Sequence, residues 1–192
     1  MRGRAAKILT AAAERRLLKV AAASSNPARA RVMLLLTIKA GLRACEVSAI
    51  TWAMVTDPRG GVSRLIELPG TAAKMGSGRR VPLHRDLRAA LVALMPRRAD
   101  RKGPIVCSAR GGPMAPKAVV NWFGQIYLEA GLAGCSSHSG RRTFVTRAAR
   151  AVHRAGGSLR DVQELVGHRS IKTTQGYIEG DADAQRRLIR LL

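Results

Sequence analysis

Apolar residues recur at helical spacing along most of this sequence, and the pattern changes once, between residues 53 and 83. Within that stretch, residues 58–61 and 75–78 contain the Gly and Pro residues that are typical of turns. Each turn is followed by a short apolar segment, 65–68 and 80–83, with the composition of a β-strand. The sequence therefore predicts a mainly α fold with a small antiparallel β-sheet near its middle.

The predicted helices have ordinary start and stop residues. Thr10 is a candidate N-cap, Pro27 and Pro116 can each open a helix, and Gly41 and Gly131 can each close one. Helical spacing also predicts helices over 42–52, 87–94, 139–155, 158–166 and 170–178, and a final amphipathic helix over 181–192.

The charge balance points to a polyanionic partner. The chain has 34 Lys and Arg against 12 Asp and Glu, a formal net charge of +22. Such a surface attracts nucleic acid, since binding to phosphates releases condensed counterions. Most of the basic residues are Arg, whose planar fork suits phosphate, although a GC-rich genome also favours Arg. A ribosomal or nucleoid protein would carry the same charge, so charge alone does not indicate an enzyme.

The cysteines and the hydropathy pattern exclude several classes of protein. Cys45, Cys107 and Cys135 are widely spaced and lack C-x-x-C spacing, which indicates neither a zinc site nor a disulfide framework. No apolar run reaches the length of about 18 residues that is needed to span a membrane. We therefore expect a soluble cytoplasmic protein with no membrane partner, no metal and no cofactor.

Any nucleic-acid chemistry must then proceed without a metal cluster. The sequence contains no Walker loop and no HExxH motif, and its 12 acidic residues show no ligand spacing. A phosphodiester can still be attacked if the protein supplies a nucleophile, cationic donors for the transition state and a proton donor for the leaving oxygen.

Two pairs of residues have the spacing of neighbours on one helix face. Arg43 and Glu46 are three residues apart, so Glu46 can hold Arg43 in place. His138 and Arg141 have the same spacing, so both can point at one phosphate. These pairs are candidates for the cationic donors.

The candidate nucleophile is a tyrosine near the end of the chain. His168 precedes Tyr177 by nine residues, which leaves room for a turn and a short helix that bring the two to one site. The other tyrosine, Tyr127, lies on the apolar stripe formed by Phe123 and Ile126 and is expected in the core. Tyr177 is therefore the better candidate.

Together these segments resemble the tyrosine recombinases, the phage integrase family. The family's G-L-R-x-x-E box is matched by Gly41, Leu42, Arg43 and Glu46. Its hairpin lysine is matched by Lys74, which lies eight residues before Pro82 of a V-P-L strand. The H-x-x-R box is matched by His138 and Arg141, the G-H pair by Gly167 and His168, and the nucleophile by Tyr177. The resemblance runs from about residue 10 to residue 180. It implies the tyrosine recombinase (DNA breaking-rejoining enzyme) catalytic-domain fold.

The resemblance also implies a mechanism without metal or cofactor. Tyr177 would attack the scissile phosphate and form a 3′-phosphotyrosyl link, while Arg43 and Arg141 would hold the non-bridging oxygens. Lys74 would protonate the leaving 5′ oxygen. The two histidines, His138 and His168, would assist proton transfer at the tyrosine and donate a hydrogen bond to the phosphate, respectively.

Some of these residues have ordinary structural alternatives. Lys74 is also compatible with a solvated turn residue, and Glu46 with a pair to a helix neighbour. Arg142 is compatible with a contact to the DNA backbone, but we interpret it as a solvated charge on its helix. The sequence departs from the family at Gly140 and Arg142, where many members have Leu and His, and at Val166, where a large aliphatic residue is common; these departures affect packing more than chemistry.

The family implies partners and leaves alternatives open. Expected partners are double-stranded DNA, further copies of the chain in a homo-oligomer (a tetramer on DNA) and an accessory DNA-bending protein, in the nucleoid. The tail over 181–192 would dock on another protomer or pack on its own. We expect residues 1–192 to form a single catalytic domain, with no N-terminal core-binding domain. The expected function is site-specific recombination, such as integration of a mobile element. The alternatives are a type IB topoisomerase-like activity and a non-catalytic DNA-binding relic.

Overall fold

The computed structural model describes residues 6–73, 76, 78–95, 103–177 and 189–190, and most of these residues are helical. Two short 3₁₀ helices, Trp52–Met54 and Val152–Ala155, follow α3 and α6 in the chain. The main elements are α1 (Ala11–Ala22), α2 (Pro27–Ile38), α3 (Ala44–Ala49), β1 (Leu65–Leu68), β2 (Arg79–Pro82), α4 (Arg85–Leu94), α5 (Pro116–Glu129), α6 (Ser139–Ala151), α7 (Leu159–Val166) and α8 (Ile171–Gln175).

The two strands form the small antiparallel sheet that the sequence predicts. Leu65 pairs with Pro82 at one end of the ladder, and Leu68 pairs with Arg79 at the other. Ile66 and Val81 are buried opposite each other, because alternate side chains of a strand point to one face. The mainly helical fold with one hairpin sheet is therefore confirmed for the described residues.

Helix α2 lies at the centre of the core. Asn26 caps its start by accepting a hydrogen bond from the Arg29 N–H, and Pro27 takes the first helical position. Every residue from 32 to 38 is buried, since α1, α4 and α6 all pack against this helix. After α2 the chain turns at Gly41, which adopts a φ of 66°. A side chain at Gly41 would also overlap the Phe144 ring, so this turn requires glycine on two grounds.

The helix predicted over 42–52 is wrong in its length. Helix α3 ends at Ala49, because Ile50 adopts an extended backbone and its carbonyl accepts a hydrogen bond from the Ile105 N–H at 3.0 Å. The chain resumes a helical course only in the short 3₁₀ turn Trp52–Met54. A long-range backbone contact thus replaces the local hydrogen bonds that would have extended the helix.

Tyr127 lies in the core, as expected. It is 1% exposed and its ring stacks on Phe123 with the centroids 6.2 Å apart. Burial raises the pKa of its phenol well above the ordinary value. Tyr127 is therefore a buried, neutral side chain that solvent and ligands do not reach.

Two of the expected features lie outside the described residues. These are Lys74 in the hairpin turn and, apart from residues 189–190, the tail over 181–192. Among the helices that the structure does describe, none combines the length and the apolar character required to cross a bilayer.

Candidate active site

Glu46 is a fully buried carboxylate held between two arginines. It lies on α3, and its Oε2 accepts a hydrogen bond from the Arg43 backbone N–H at 2.9 Å while its Oε1 accepts one from Arg43 Nη1 at 2.9 Å. Arg79 on β2 donates to the same two oxygens, at 3.1 Å and 2.9 Å. The Arg43–Glu46 contact expected from their spacing is thus formed, and Arg79 joins it from the sheet.

These contacts keep Glu46 ionised. Burial alone raises the pKa of the Glu46 carboxyl, but the hydrogen bonds and charges of Arg79 and Arg43 outweigh burial and lower the pKa to about 2. Arg79 also donates from Nε to the Leu165 carbonyl at 3.1 Å. Arg79 therefore connects the sheet, the start of α3 and the end of α7.

Arg141 is buried at the start of α6 and connects the turn at Gly41 to the end of α7. Its side chain is 4% exposed and donates from Nη1 to the Gly41 carbonyl and from Nη2 to the Val166 carbonyl, the latter at 2.9 Å. Burial and the nearby Arg43 charge lower the Arg141 pKa to about 10, so the guanidinium remains protonated at neutral pH. A guanidinium has five N–H donors, so this anchoring leaves donors for a ligand.

His168 follows α7 at a sharp turn. Gly167 ends the helix in the left-handed conformation with φ 65°, and the His168 backbone then exchanges hydrogen bonds with Gln163. His168 Nδ1 lies 3.0 Å from the Thr174 hydroxyl on α8. Burial, together with the charges of Arg141 and other nearby arginines, lowers the pKa of His168 to about 4. The imidazole is therefore neutral at pH 7.

Tyr177 lies two residues after the end of α8 and contacts His168. The two rings are stacked, with centroids 5.6 Å apart and an interplanar angle of 22°. The guanidinium carbon of Arg142 lies 5.8 Å from the centre of the Tyr177 ring, within the range of a cation–π contact. The nine-residue spacing of His168 and Tyr177 thus does bring them together.

Most of the candidate residues line one cavity of about 390 Å³. His138, at the start of α6, is an exposed member of its lining. The lining residues are Ala6, Arg43, Ser136, His138, Arg141, Arg142, His168, Thr173 and Tyr177. Five of the six predicted catalytic residues therefore meet at one site, and the sixth, Lys74, lies outside the described residues.

Some residues that interact with the predicted site residues are absent from the sequence-based set of candidates, among them Arg79, Thr174 and Arg142. Arg79 could have been found from strand alternation, because it lies two residues before the buried Val81 and on the same face. Thr174 has no comparable sequence signal, since its contact depends on the turn after α7. Arg142, interpreted from sequence as a solvated charge, lines the cavity beside Tyr177 instead.

The arrangement suits attack on an anionic ester. Glu46 offsets one positive charge, so Arg43, Arg79 and Arg141 together leave the site cationic, and the positive end of α6 adds to this field. Tyr177 contributes a phenol side chain to the cavity lining. In the part of the chain that the structure describes, no three His, Cys, Asp or Glu side chains lie close enough to hold a metal ion.

The fold and the motifs have clear relatives. The model of the phage integrase family matches residues 7–183. Tyrosine recombinase XerC of Nitrobacter winogradskyi is 30% identical over 160 residues, which cover 81% of this chain and 47% of that protein. XerC of Brucella suis is 30% identical over 165 residues, which cover 84% of this chain and 49% of that protein.

Solved structures of recombinases share the fold. The integrase of the Tn1549 transposon, in complex with transposon right-end DNA, has a TM-score of 0.73 at 19% identity. The match covers 100% of this chain and 67% of that integrase chain. XerA recombinase has a TM-score of 0.70 at 21% identity, and the match covers 98% of this chain and 65% of the XerA chain. This chain spans about half the length of the curated XerC relatives. With a family match that extends over almost all of its residues, the chain belongs to the phage integrase family.

Proposed function

We propose that this chain is a site-specific DNA recombinase that cleaves and rejoins DNA through a covalent 3′-phosphotyrosyl intermediate on Tyr177. The observation that carries the proposal is the shared cavity, where Tyr177 meets Arg43, Arg141, His138 and His168. A nucleophile, two arginines and two histidines around one cavity are the groups that phosphodiester transfer needs.

In the proposed reaction the arginines bind the scissile phosphate. Arg141 is fixed through two carbonyls and Arg43 through Glu46, so both guanidiniums are preorganised before DNA arrives. Preorganised donors stabilise the charge that develops in the transition state without reorganising during the reaction. Each arginine would donate to the non-bridging oxygens.

The remaining residues would move protons and direct the attack. The Tyr177 phenol oxygen forms the new bond to phosphorus as the bond from phosphorus to the 5′ oxygen breaks. His138 would assist removal of the phenol proton, and Lys74 would donate a proton to the leaving oxygen. His168, neutral at pH 7, would donate a hydrogen bond rather than a charge. Attack by a 5′-hydroxyl on the phosphotyrosine reverses these steps and reseals the DNA.

The same proposal extends to partners. Double-stranded DNA is the substrate, which the net charge of +22 supports, and binding to it would place the protein in the nucleoid. Exchange between two sites needs four strand cleavages, so we propose a homo-oligomer, a tetramer on DNA, together with an accessory DNA-bending protein. We also propose that residues 1–192 act as one catalytic domain, because the cavity joins residues from both ends of the described chain.

The test is covalent capture on nicked DNA. Duplexes with a randomised centre and a nick inside it lose a short 5′-hydroxyl strand on cleavage, so religation fails and an adduct accumulates. The adduct is detected as a protease-sensitive shift on a denaturing gel, and a tyrosyl link at the 3′ end makes the DNA resistant to a 3′ exonuclease. Sequencing of the captured DNA then gives the site.

Each alternative function has its own outcome. Exchange between two copies of the captured site supports a recombinase. An adduct without sequence preference, accompanied by relaxation of a supercoiled plasmid, indicates a type IB topoisomerase-like enzyme. A shift on a native gel without any adduct indicates a non-catalytic relic and contradicts the proposal.

We expect DNA binding by this chain to depend steeply on salt. With a net charge of +22, affinity comes mainly from Arg and Lys contacts to phosphates, which position the protein and carry little sequence information. If roughly 6–10 phosphates are neutralised, affinity falls about 10³- to 10⁵-fold between about 50 and 200 mM salt. Titrations against native-site and scrambled duplexes across a salt series measure this. A shallow slope with tight, sequence-specific binding would contradict it.

We expect cleavage to survive an excess of chelator. The charge that a metal would supply to the transition state comes instead from Arg43 and Arg141, which are held in place by protein contacts. Adduct formation is compared with and without EDTA. Loss of the adduct in EDTA, restored by Mg²⁺ or Mn²⁺, would overturn the metal-free mechanism.

A further inference from the structure

The contact between His168 and Thr174 joins the candidate site to a buried hydroxyl. Thr174 lies on α8, three residues before Tyr177, and is 0% exposed. Its Oγ1 is 3.0 Å from His168 Nδ1, and His168 is 8% exposed. The Thr174 hydroxyl is therefore out of reach of bulk water and must find its hydrogen-bond partner within the protein.

The donor in this hydrogen bond follows from the available acceptors. If Nδ1 carried the ring proton and donated to Thr174, the buried hydroxyl proton would need another acceptor. Among the residues that the structure describes, the Thr174 side chain makes no hydrogen bond other than the one to His168. An unsatisfied buried donor is costly, so the arrangement in which the hydroxyl donates to Nδ1 is favoured.

We propose that Thr174 is a positioning residue for His168: its hydroxyl donates to Nδ1, which places the ring proton on Nε2 and orients that N–H as the donor for the cavity. This inference rests on the proposed function, because it gives the Nε2–H a phosphate oxygen to bind. A hydrogen bond to one ring nitrogen commonly fixes the tautomer and orientation of a functional histidine.

The surroundings of His168 support a neutral donor. Burial disfavours a positive charge on the ring, and the charges of Arg141, Arg43 and Arg79 add to this effect. The other neighbours of His168 fix its backbone and one ring face: Gln163 bonds the main chain, and Tyr177 stacks on the imidazole. Thr174 is thus the side chain that controls which ring nitrogen holds the proton.

The kinetic test uses matched valine variants. Thr174→Val keeps the size of the side chain and removes the hydroxyl, and Thr146→Val does the same at a buried hydroxyl on α6 that has no partner among the described residues. We expect Thr174→Val to slow adduct formation by about 10- to 100-fold, the range seen when partners that orient metal-bound histidines are removed. Thr174→Ser restores the hydroxyl and should restore the rate.

The melting temperature separates positioning from stability. Thr174→Val loses a hydrogen bond, whereas Thr146→Val removes a hydroxyl that makes none, so Thr174→Val should have the lower melting temperature of the two. Both variants should remain folded at the assay temperature, while only Thr174→Val reacts slowly. If Thr174→Val and Thr146→Val form the adduct at the same rate, Thr174 does not position His168 and the proposal is overturned.

A spectroscopic test needs no DNA. Long-range ¹H–¹⁵N correlations of ¹⁵N-histidine protein identify the protonated nitrogen of His168, with the signal assigned by its loss in His168→Gln. We expect a proton on Nε2 and an accepting Nδ1, and a changed Nδ1 resonance in Thr174→Val. A proton on Nδ1 in the unmodified chain contradicts the inference. This readout stands even if the chain never cleaves DNA, so failure of the proposed function is distinguishable from failure of the Thr174 assignment.

Discussion

Tyr177→Phe is expected to abolish covalent attachment to DNA while fold and DNA binding survive. The substitution removes only the phenol oxygen, and the ring keeps its stacking on His168 and its contact with Arg142. Removing a nucleophile that acts together with its neighbours costs more than about 10³-fold in rate, so the adduct should fall below detection. Adduct yield on the nicked duplexes, with binding measured on a native gel, gives the result.

Tyr127→Phe is the matched control. It removes the other tyrosine hydroxyl, which lies in the core and does not line the cavity. We expect this variant to form the adduct at the rate of the unmodified chain. An adduct from Tyr177→Phe, together with none from Tyr127→Phe, would show that the nucleophile was assigned to the wrong residue.

The predictions made from sequence that depend on local geometry agree with the structure. Residues three apart at a helix start must lie close together, so the Arg43–Glu46 contact follows from spacing alone. The cap of α1 at Thr10, the start of α2 at Pro27 and the turn at Gly41 depend on a few neighbouring residues in the same way. The family motifs then indicated which of these segments come together at the candidate site.

Features that depend on distant contacts could not be predicted in this way. Helix α3 stops at Ala49 because Ile50 pairs with a loop more than 50 residues away in the chain. Gly140 replaces a larger residue of the family because α6 crosses α2 so closely there that a side chain would overlap Thr37. Neither reason is visible in the residues next to the feature.

Arg79 shows what the sequence could have revealed but did not. Its strand position points it to the buried face of β2, and the family motifs name only Lys74 in that hairpin. The partner, Glu46, is 33 residues away, so no helical spacing links the two. A buried arginine needs a carboxylate, but the sequence analysis paired Glu46 with Arg43 alone and so assigned Arg79 no partner.

The ionisation of Glu46 makes this contact a determinant of stability as well as of site geometry. The folded pKa of Glu46, about 2, lies below the ordinary value of 4.5. A carboxyl with a lowered pKa stabilises the fold above its ordinary pKa, and that contribution is lost as the pH falls from about 4.5 towards 2. Removing Arg79 should therefore matter most at neutral pH, where Glu46 would remain charged and lose two of its hydrogen bonds.

Arg79→Met is expected to lower the free energy of unfolding by about 3–5 kcal/mol at pH 7, because it leaves a buried carboxylate only half paired. Arg80→Met is the matched control: Arg80 neighbours Arg79, but its side chain is 75% exposed and pairs with the exposed Glu67 at 3.3 Å, so its loss should cost about 1 kcal/mol or less.

The Arg79→Met deficit should shrink as the pH falls below about 4.5, since protonation of Glu46 then relieves the unpaired charge. For the same reason, Glu46→Gln added to Arg79→Met should recover part of the stability at pH 7. Urea unfolding of the unmodified chain, the two single variants and the double variant, from pH 7 to about pH 3, measures these differences. If Arg79→Met loses no more than Arg80→Met, or if its deficit is the same at every pH, then Arg79 does not provide the counter-charge that keeps Glu46 ionised and Arg43 in place.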